Sequence, residues 1–207
     1  GPDTRKTTMS DNVKRLMVLF GAVFFSVALA ACSTSPPVRY FSLEPVFEVV
    51  ENSAEVQPIV GLGQLRTPNF LFRSQLVTRD RGGELVVHDF RRWSEPLDQA
   101  IHRVVAANTD SLVSDMTVIG FPYESQIRPD YRVHGNVERF DTDTSGEAVL
   151  IVQWSMTTRD GTVLTPLRRS RYASRAANAD DPAAVVSALN EVLGAFSQDI
   201  ASELDAI

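Results

Sequence analysis

The only cysteine of this 207-residue chain, Cys32, constrains its fold more than any other residue. A chain with one cysteine can build neither an internal disulfide framework nor a thiolate metal cluster. Its folded state must therefore depend on a buried apolar core. The length of the chain and its 43% of hydrophobic residues are sufficient for one domain with such a core.

A charge-free apolar stretch, residues 16–31, precedes this cysteine and follows the basic pair Lys14 and Arg15. A basic segment followed by an apolar segment is the pattern of a signal peptide. The stretch has 16 residues, whereas a membrane-spanning helix needs about 20. A permanent transmembrane helix is therefore the weaker alternative.

The residues Leu29, Ala30, Ala31 and Cys32 resemble the lipobox of bacterial lipoproteins, in which small residues fit the signal peptidase and the cysteine receives the lipid. We predict cleavage after Ala31, and a diacylglycerol and an N-acyl group such as palmitate on Cys32. Several acyl chains anchor a protein almost permanently, whereas one chain holds it marginally. No other cofactor is predicted. The alternative is a buried cysteine that acts as a small hydrophobic residue.

The predicted organisation is a leader over residues 1–31, a lipidated tether over residues 32–39 and a single domain over residues 40–207. Within the leader, residues 1–8 precede the predicted start at Met9. We treat them as an upstream or vector-derived extension, which takes no part in the fold prediction.

The charge of the predicted mature chain limits its partners. The leader contains four basic and two acidic residues, which leaves 16 basic and 24 acidic residues and a formal net charge of −8. This acidity argues against a nucleic-acid partner and against electrostatic adhesion to anionic lipid. We expect membrane contact through the lipid anchor alone. Both lysines lie in the leader, which excludes Schiff-base and P-loop lysine chemistry in the domain.

Strand-like and helix-like patterns alternate along the domain. Ser94 and Pro96 indicate a capping residue and a first-turn proline for a first helix, and Asp181 caps a second. The order strands, helix, strands, helix predicts an α+β fold, with a mostly antiparallel sheet and two main helices packed on one face. The predicted strands are residues 40–43, 59–65, 76–78, 84–89, 115–120, 131–140, 147–158 and 163–172.

One predicted loop contains unusually large apolar side chains, Phe70, Leu71 and Phe72. Polar loops rarely leave two phenylalanines in solvent. Either these residues pack beneath the sheet, or they form an exposed patch for a partner, a second copy of the chain or an acyl chain. They are candidate interface residues.

A second candidate interface precedes the first helix, at Arg92, Trp93 and Pro96. In one interpretation the tryptophan packs the start of the helix against the core. In the other, this corner contacts a neighbouring subunit, because tryptophan and arginine are enriched at the energetic centres of interfaces.

No catalytic or metal-binding pattern stands out. The histidines His88, His102 and His134 lie on separate predicted elements without a zinc-binding spacing, and each is predicted to be a surface or strand residue. The carboxylate pair Glu138 and Asp141 lies at a predicted exposed strand end, where solvation is the ordinary role. We therefore predict no catalytic residue, no metal site and no enzymatic activity.

Several motifs occur in order along the domain: YFSL at 40–43, RTPNFL at 66–71 followed by SQLV at 74–77, RWSEPL at 92–97, YRVHG at 131–135 followed by RF at 139–140, and a closing helix through residue 201. In this order they resemble the ABC-type transport auxiliary lipoproteins, the PqiC-like family that accompanies mammalian-cell-entry (MCE) transport systems. The acid-rich residues 48–55 have no counterpart in this pattern.

The resemblance implies a non-enzymatic, oligomeric scaffold of an envelope lipid-transport system. Such a protein would hold an MCE-domain protein near a membrane while an inner-membrane ABC transporter supplies the energy, with phospholipid or another hydrophobic molecule as substrate. Ser33 follows the cysteine where an aspartate commonly signals inner-membrane retention, which favours the periplasmic face of the outer membrane. The alternative is an outer-membrane lipoprotein that activates a cell-wall synthase, or an envelope hydrolase.

Overall fold

The computed structural model describes residues 16–17, 36–49, 56–124 and 126–207. The predicted lipobox, Leu29, Ala30, Ala31 and Cys32, lies outside the described residues. The acidic connector between the first two strands is described only in part. The unit considered below is Val38–Ile207.

Eight strands and two long helices make up the described part of this unit. The structure therefore confirms the α+β class. The predicted order of strands, helix, strands and helix holds only approximately, because a 3-10 turn at Asn69–Leu71 interrupts the first group of strands. The elements are β1 (Arg39–Phe41), β2 (Ile59–Arg66), β3 (Gln75–Arg79), β4 (Leu85–Trp93), α1 (Leu97–Leu112), β5 (Thr117–Gly120), β6 (Tyr131–Asp143), β7 (Glu147–Thr158), β8 (Val163–Arg175) and α2 (Pro182–Leu204).

The sheet is mixed, and the prediction of a mostly antiparallel sheet is wrong. Its order is β1-β4-β3-β6-β2-β5, and β6 also pairs with β7, which pairs with β8. The pairs β1–β4, β2–β5, β2–β6 and β3–β6 are parallel. Turn residues such as Asp160 and Gly161 reveal antiparallel hairpins in the sequence. Parallel pairs join strands that are distant along the chain, so no local pattern specifies them.

The strands β2 and β3 pair in parallel with different parts of β6. Residues 60–66 pair with residues 131–136, whereas Thr78 and Arg79 pair with Thr142 and Asp143. The intervening residues 67–74 leave the sheet. This excursion carries one of the two candidate interface segments.

One apolar core lies between the sheet and the helices. Alternate side chains of β7 are buried, as expected for a strand with one covered face, and α1 and α2 pack against each other and against the sheet. The Phe196 ring of α2 meets the Trp154 ring of β7 edge to face at 5.6 Å between centroids. Asp181 caps α2 as predicted, because its Oδ1 accepts the Ala183 N–H at 3.1 Å. The buried residues in this alternation are Ala148, Leu150, Val152, Trp154 and Met156, and Val149 is buried as well.

Among the residues that the structure describes, none of the helices combines the length and the apolar character that crossing a bilayer requires.

Candidate functional site

The two predicted interface segments lie side by side in the fold. The Trp93 N–H donates to the Ser74 carbonyl at 2.6 Å, and Arg92 pairs with Gln75 in the β3–β4 register. We call the surface formed by residues 67–74 and 93–98 the corner. Both segments line a surface groove of about 350 Å³ whose walls are Phe72, Arg73, Ser74, Trp93, Ser94, Glu95, Pro96, Leu97 and Asp98.

The apolar loop divides its side chains between the core and the solvent. Leu71 is buried in the main core, and Phe70 packs against the edge of that core. The Phe70 ring lies beneath the Arg79 guanidinium, 5.7 Å from its central carbon. Phe72 is 60% exposed. Leu71 and Phe70 therefore pack into or against the core, as the first alternative held. Only Phe72 of the three is largely exposed and accessible to a partner.

Trp93 is a core residue that also reaches the corner. It is 6% exposed, so its ring packs the start of α1 against the core, as the first interpretation held, while one side of the ring lines the groove. Pro96 is exposed beside it. The half-buried Arg92 donates from Nε to the Asp89 carbonyl at 3.3 Å, which keeps this guanidinium along β4.

The start of α1 differs from its prediction. The helix begins at Leu97, and the preceding residue, Pro96, provides no side-chain cap. Ser94 does not cap the helix. Its hydroxyl shares a hydrogen bond of 2.7 Å with Ser42, and its N–H donates to the Phe41 carbonyl at 2.9 Å. A serine before a helix signals a cap from sequence alone, but here it ties the corner to the chain that follows β1.

A buried ion cluster braces the corner from the sheet side. Asp141 on β6 accepts from Arg79 at 2.6 Å and from Arg139 at 2.7 Å, and its carboxylate is only 1% exposed. The prediction that Asp141 is a solvated partner of Glu138 is therefore wrong. Glu138 pairs instead with Arg169 on β8. The alternation of Arg139 and Asp141 along β6 was the one available signal for this cluster, since Arg79 is 62 residues away.

A small cavity lies between the corner, α2 and the C-terminal end of β6. The cavity has a volume of about 30 Å³, which is enough for ordered water but not for a lipid acyl chain. His88 lines it and shares a 2.8 Å hydrogen bond with Thr78. Burial, together with the positive charge of Arg91, lowers the pKa of His88 below its ordinary value. The imidazole is therefore neutral at pH 7.

The other histidines have separate surroundings. His102 is buried on α1, where Nε2 accepts the Leu65 N–H and Nδ1 lies 2.7 Å from the Asp98 carbonyl. The two contacts join α1 to β2, so the prediction of His102 as a surface or strand residue is wrong. His134 is exposed on β6. In the described ranges, no three His, Cys, Asp or Glu side chains are placed to hold a metal ion.

The described beginning of the acidic connector packs across both helices. Asn190 Oδ1 accepts the Glu44 N–H at 3.1 Å, and Asn108 Oδ1 accepts the Val46 N–H at 2.9 Å. Gly194 on α2 leaves the space that Val46 occupies, since a Cβ at Gly194 would lie 2.4 Å from Val46 Cγ2. This contact was not predicted from the sequence. Its only local signal was an asparagine, Asn108, on the apolar face of a helix.

Known proteins resemble this chain in sequence and in fold. A family model described as "ABC-type transport auxiliary lipoprotein component" matches residues 41–201. The crystal structure of an uncharacterized protein aligns with 82% of this chain and 99% of its own, with a TM-score of 0.68 and 19% identity. Protein XCC0632 from Xanthomonas campestris aligns over 80% and 90%, with a TM-score of 0.57 and 21% identity. At these low identities, the similarity of the two structures to this chain shows a common fold and nothing about function. No curated protein matches the sequence significantly.

Proposed function

The chain belongs to the family of ABC-type transport auxiliary lipoprotein components, and from this membership we propose that its corner docks an MCE-domain protein close to a membrane. Members of this family are auxiliary components of transport systems and not enzymes. The work of the chain is then binding and positioning, while an inner-membrane ABC transporter supplies the energy for moving phospholipid or another hydrophobic substrate.

One observation carries the choice of the corner. The fold brings Phe72 and Pro96 together in one groove over the buried Trp93 ring. Protein interfaces commonly combine an apolar or aromatic centre with a polar rim, and Arg73, Glu95 and Asp98 supply such a rim here.

The membrane attachment is part of the proposal. Cys32 carries the diacylglycerol and the N-acyl group, and Ser33 directs the lipoprotein to the periplasmic face of the outer membrane. The support is the sequence at residues 29–33. Mass spectrometry of protein from its native host should find a chain that begins at acylated Cys32. A free thiol with the apolar leader still attached would contradict the anchor.

Site-specific crosslinking tests the docking surface. A photoreactive amino acid replaces Phe72 in the full chain and, in a control, replaces Val163, which is 58% exposed at the start of β8. We expect an MCE-domain protein to be captured from position 72 and not from position 163. Equal capture at both positions, or no capture at either, contradicts the proposal. Capture of a peptidoglycan synthase at position 72 favours the activator function instead.

Self-association is a further part of the proposal. Within the described chain β8 pairs only with β7, and its exposed residues include the apolar side chains Val163 and Leu167. An open strand edge can pair with another copy of the chain. We expect native mass spectrometry to find a homo-oligomer and Leu167→Glu to reduce its size. A strict monomer would contradict this part of the proposal and leave the docking proposal in place.

A further inference from the structure

Apolar side chains are exposed along the sheet edge formed by residues 38–41 and 90–92, which we call the β1–β4 edge. Tyr40 is 65% exposed, Phe90 43% and Val38 40%. Val38 and Tyr40 lie on or beside the three-residue strand β1, which ends this side of the sheet. An aromatic pair with an aliphatic neighbour on a sheet edge is a surface that water solvates poorly.

Three arginines on the same edge have no carboxylate partner in the described chain. Seven other arginines, all outside this edge, form ion pairs. In the parallel register Arg39 lies beside Arg91, and Tyr40 lies beside Arg92. Like charges at neighbouring strand positions repel each other, and Asp89 is the only carboxylate within β4. An anionic surface in contact with this edge would relieve that repulsion.

The predicted anchor is attached close to this edge. Arg39 is the seventh residue after Cys32, a distance of at most about 25 Å for an extended chain. A compact domain of about 170 residues is roughly 40 Å across. The tether is therefore shorter than the domain that it holds, and β1 is the element that it keeps nearest to the bilayer.

We propose that the β1–β4 edge lies on the phospholipid headgroups of the membrane, with Tyr40 and Phe90 at the interface and Arg39 and Arg92 against the phosphates. Aromatic rings and arginines are favoured at this depth of a bilayer. The inference rests on the proposed lipid anchor at Cys32. The net negative charge of the domain predicts no adhesion of the whole surface, but the charge is unevenly distributed and this edge is locally positive.

Fluorescence quenching by lipid tests the contact. The lipidated chain is reconstituted into vesicles of phosphatidylethanolamine and phosphatidylglycerol, with or without bromine on the acyl chains. The native tryptophans, Trp93 and Trp154, are buried and give the background. An indole about 5–10 Å into the headgroup and acyl boundary is within reach of the bromines. We expect Phe90→Trp to be quenched clearly above that background, and Tyr40→Trp to behave in the same way if Phe90→Trp does not fold.

Phe121→Trp is the matched control, because Phe121 and Phe90 have nearly equal exposure, 45% and 43%. Phe121 follows β5, which pairs with β2 and not with β1 or β4. Quenching of Phe90→Trp that does not exceed that of Phe121→Trp, in protein that sediments with the vesicles, overturns the inference and leaves the anchor intact. Protein that does not sediment with the vesicles overturns the anchor and the inference with it.

Neutralising the arginines tests the electrostatic part. Arg39→Gln with Arg92→Gln, added to Phe90→Trp, should reduce the quenching and its sensitivity to salt, since each arginine near an anionic surface strengthens binding by about fivefold. The control pair is Arg66→Gln with Arg132→Gln, two arginines on β2 and β6 that form no ion pair with a described residue. Neither of these strands pairs with β1 or β4. Quenching that is unchanged in the first variant overturns the role of the guanidinium groups.

Discussion

The two tryptophans of the chain lie in regions that are organised differently. Trp154 lies within the regular interior of β7, where Phe196 packs against one side of its ring and the Arg168 guanidinium lies 4.2 Å from its centroid. Trp93 lies at the end of β4, where its ring lines both a groove and a small cavity. The Trp154 ring is fully enclosed, whereas the Trp93 ring is 6% exposed and borders two open spaces.

This difference separates the part of the fold that stabilises the domain from the part that is free to recognise a partner. The interior under α2 is produced by strand alternation and one helix stripe, both of which are local patterns. The corner is assembled from segments that are distant along the chain, and a few polar contacts hold it in place. A surface of this second kind can change its exposed side chains without loss of the core.

The largest expected effect contrasts the two rings directly. Trp154→Ala should reduce the free energy of unfolding by about 3–5 kcal/mol, because it removes a fully enclosed aromatic side chain. Trp93→Ala should cost about 2–3 kcal/mol, because part of that ring already faces a groove and a cavity. Denaturant unfolding of both variants measures the difference. Equal losses would show that the corner is packed as tightly as the interior.

The next effect concerns the polar contacts that hold the corner. Asp141→Asn removes the charge that compensates Arg79 and Arg139, so we expect a loss of about 2–3 kcal/mol, less than for a fully buried ion pair because both arginines reach solvent. Glu138→Gln is the control, since the more exposed Glu138–Arg169 pair should contribute less than about 1 kcal/mol. Similar losses in the two variants would contradict a special role for the buried cluster.

The same division explains what could be predicted from the sequence. The strand at Glu147–Thr158 and the helix that starts at Pro182 follow from alternation, turn residues and a capping aspartate, which are all local. The two candidate segments were recognisable because large apolar side chains fell in predicted loops. That they meet in one groove depends on the β3–β4 register.

Features that depend on distant segments could not be predicted. The parallel pairing of β2 and β3 with β6 places Arg79 beside Asp141, and no local pattern specifies it. The roles of Ser94 and His102 were predicted wrongly for the same reason, because their hydrogen-bond partners, Ser42 and Leu65, belong to other elements. The residue types indicated that these side chains would form hydrogen bonds, but the partners depend on how distant segments pair in the fold.

A smaller effect tests a polar contact within the regular interior. The Tyr172 hydroxyl donates to Asp199 Oδ2 at 2.7 Å between β8 and α2, and Tyr172→Phe should cost about 1 kcal/mol at pH 7 because the ring still packs on Phe196. Burial, followed by this hydrogen bond, raises the pKa of Tyr172 well above its ordinary value. The folded state therefore holds this proton more tightly than the unfolded state does.

The pH dependence of that variant has a definite sign. A raised pKa contributes stability that is complete below the unfolded pKa of about 10 and declines as the pH rises above it. The difference between the parent chain and Tyr172→Phe should therefore be constant from pH 7 to 9 and shrink above pH 10. Tyr40→Phe, which removes an exposed hydroxyl on β1, is the control and should leave the unfolding curves unchanged. A difference that grows above pH 10 would contradict the assignment.

The smallest effect on stability should accompany the clearest effect on binding. Phe72→Ser replaces a ring that is 60% exposed, so the free energy of unfolding should change by less than about 0.5 kcal/mol, while copurification of an MCE-domain protein should fall. Val163→Ser, at a position that is 58% exposed on β8, should leave both properties unchanged. Leu71→Ser, one residue away but buried, should destabilise the domain instead. If Phe72→Ser destabilises the domain as strongly as Leu71→Ser does, the ring belongs to the core, and the corner loses the exposed side chain on which its proposed role depends.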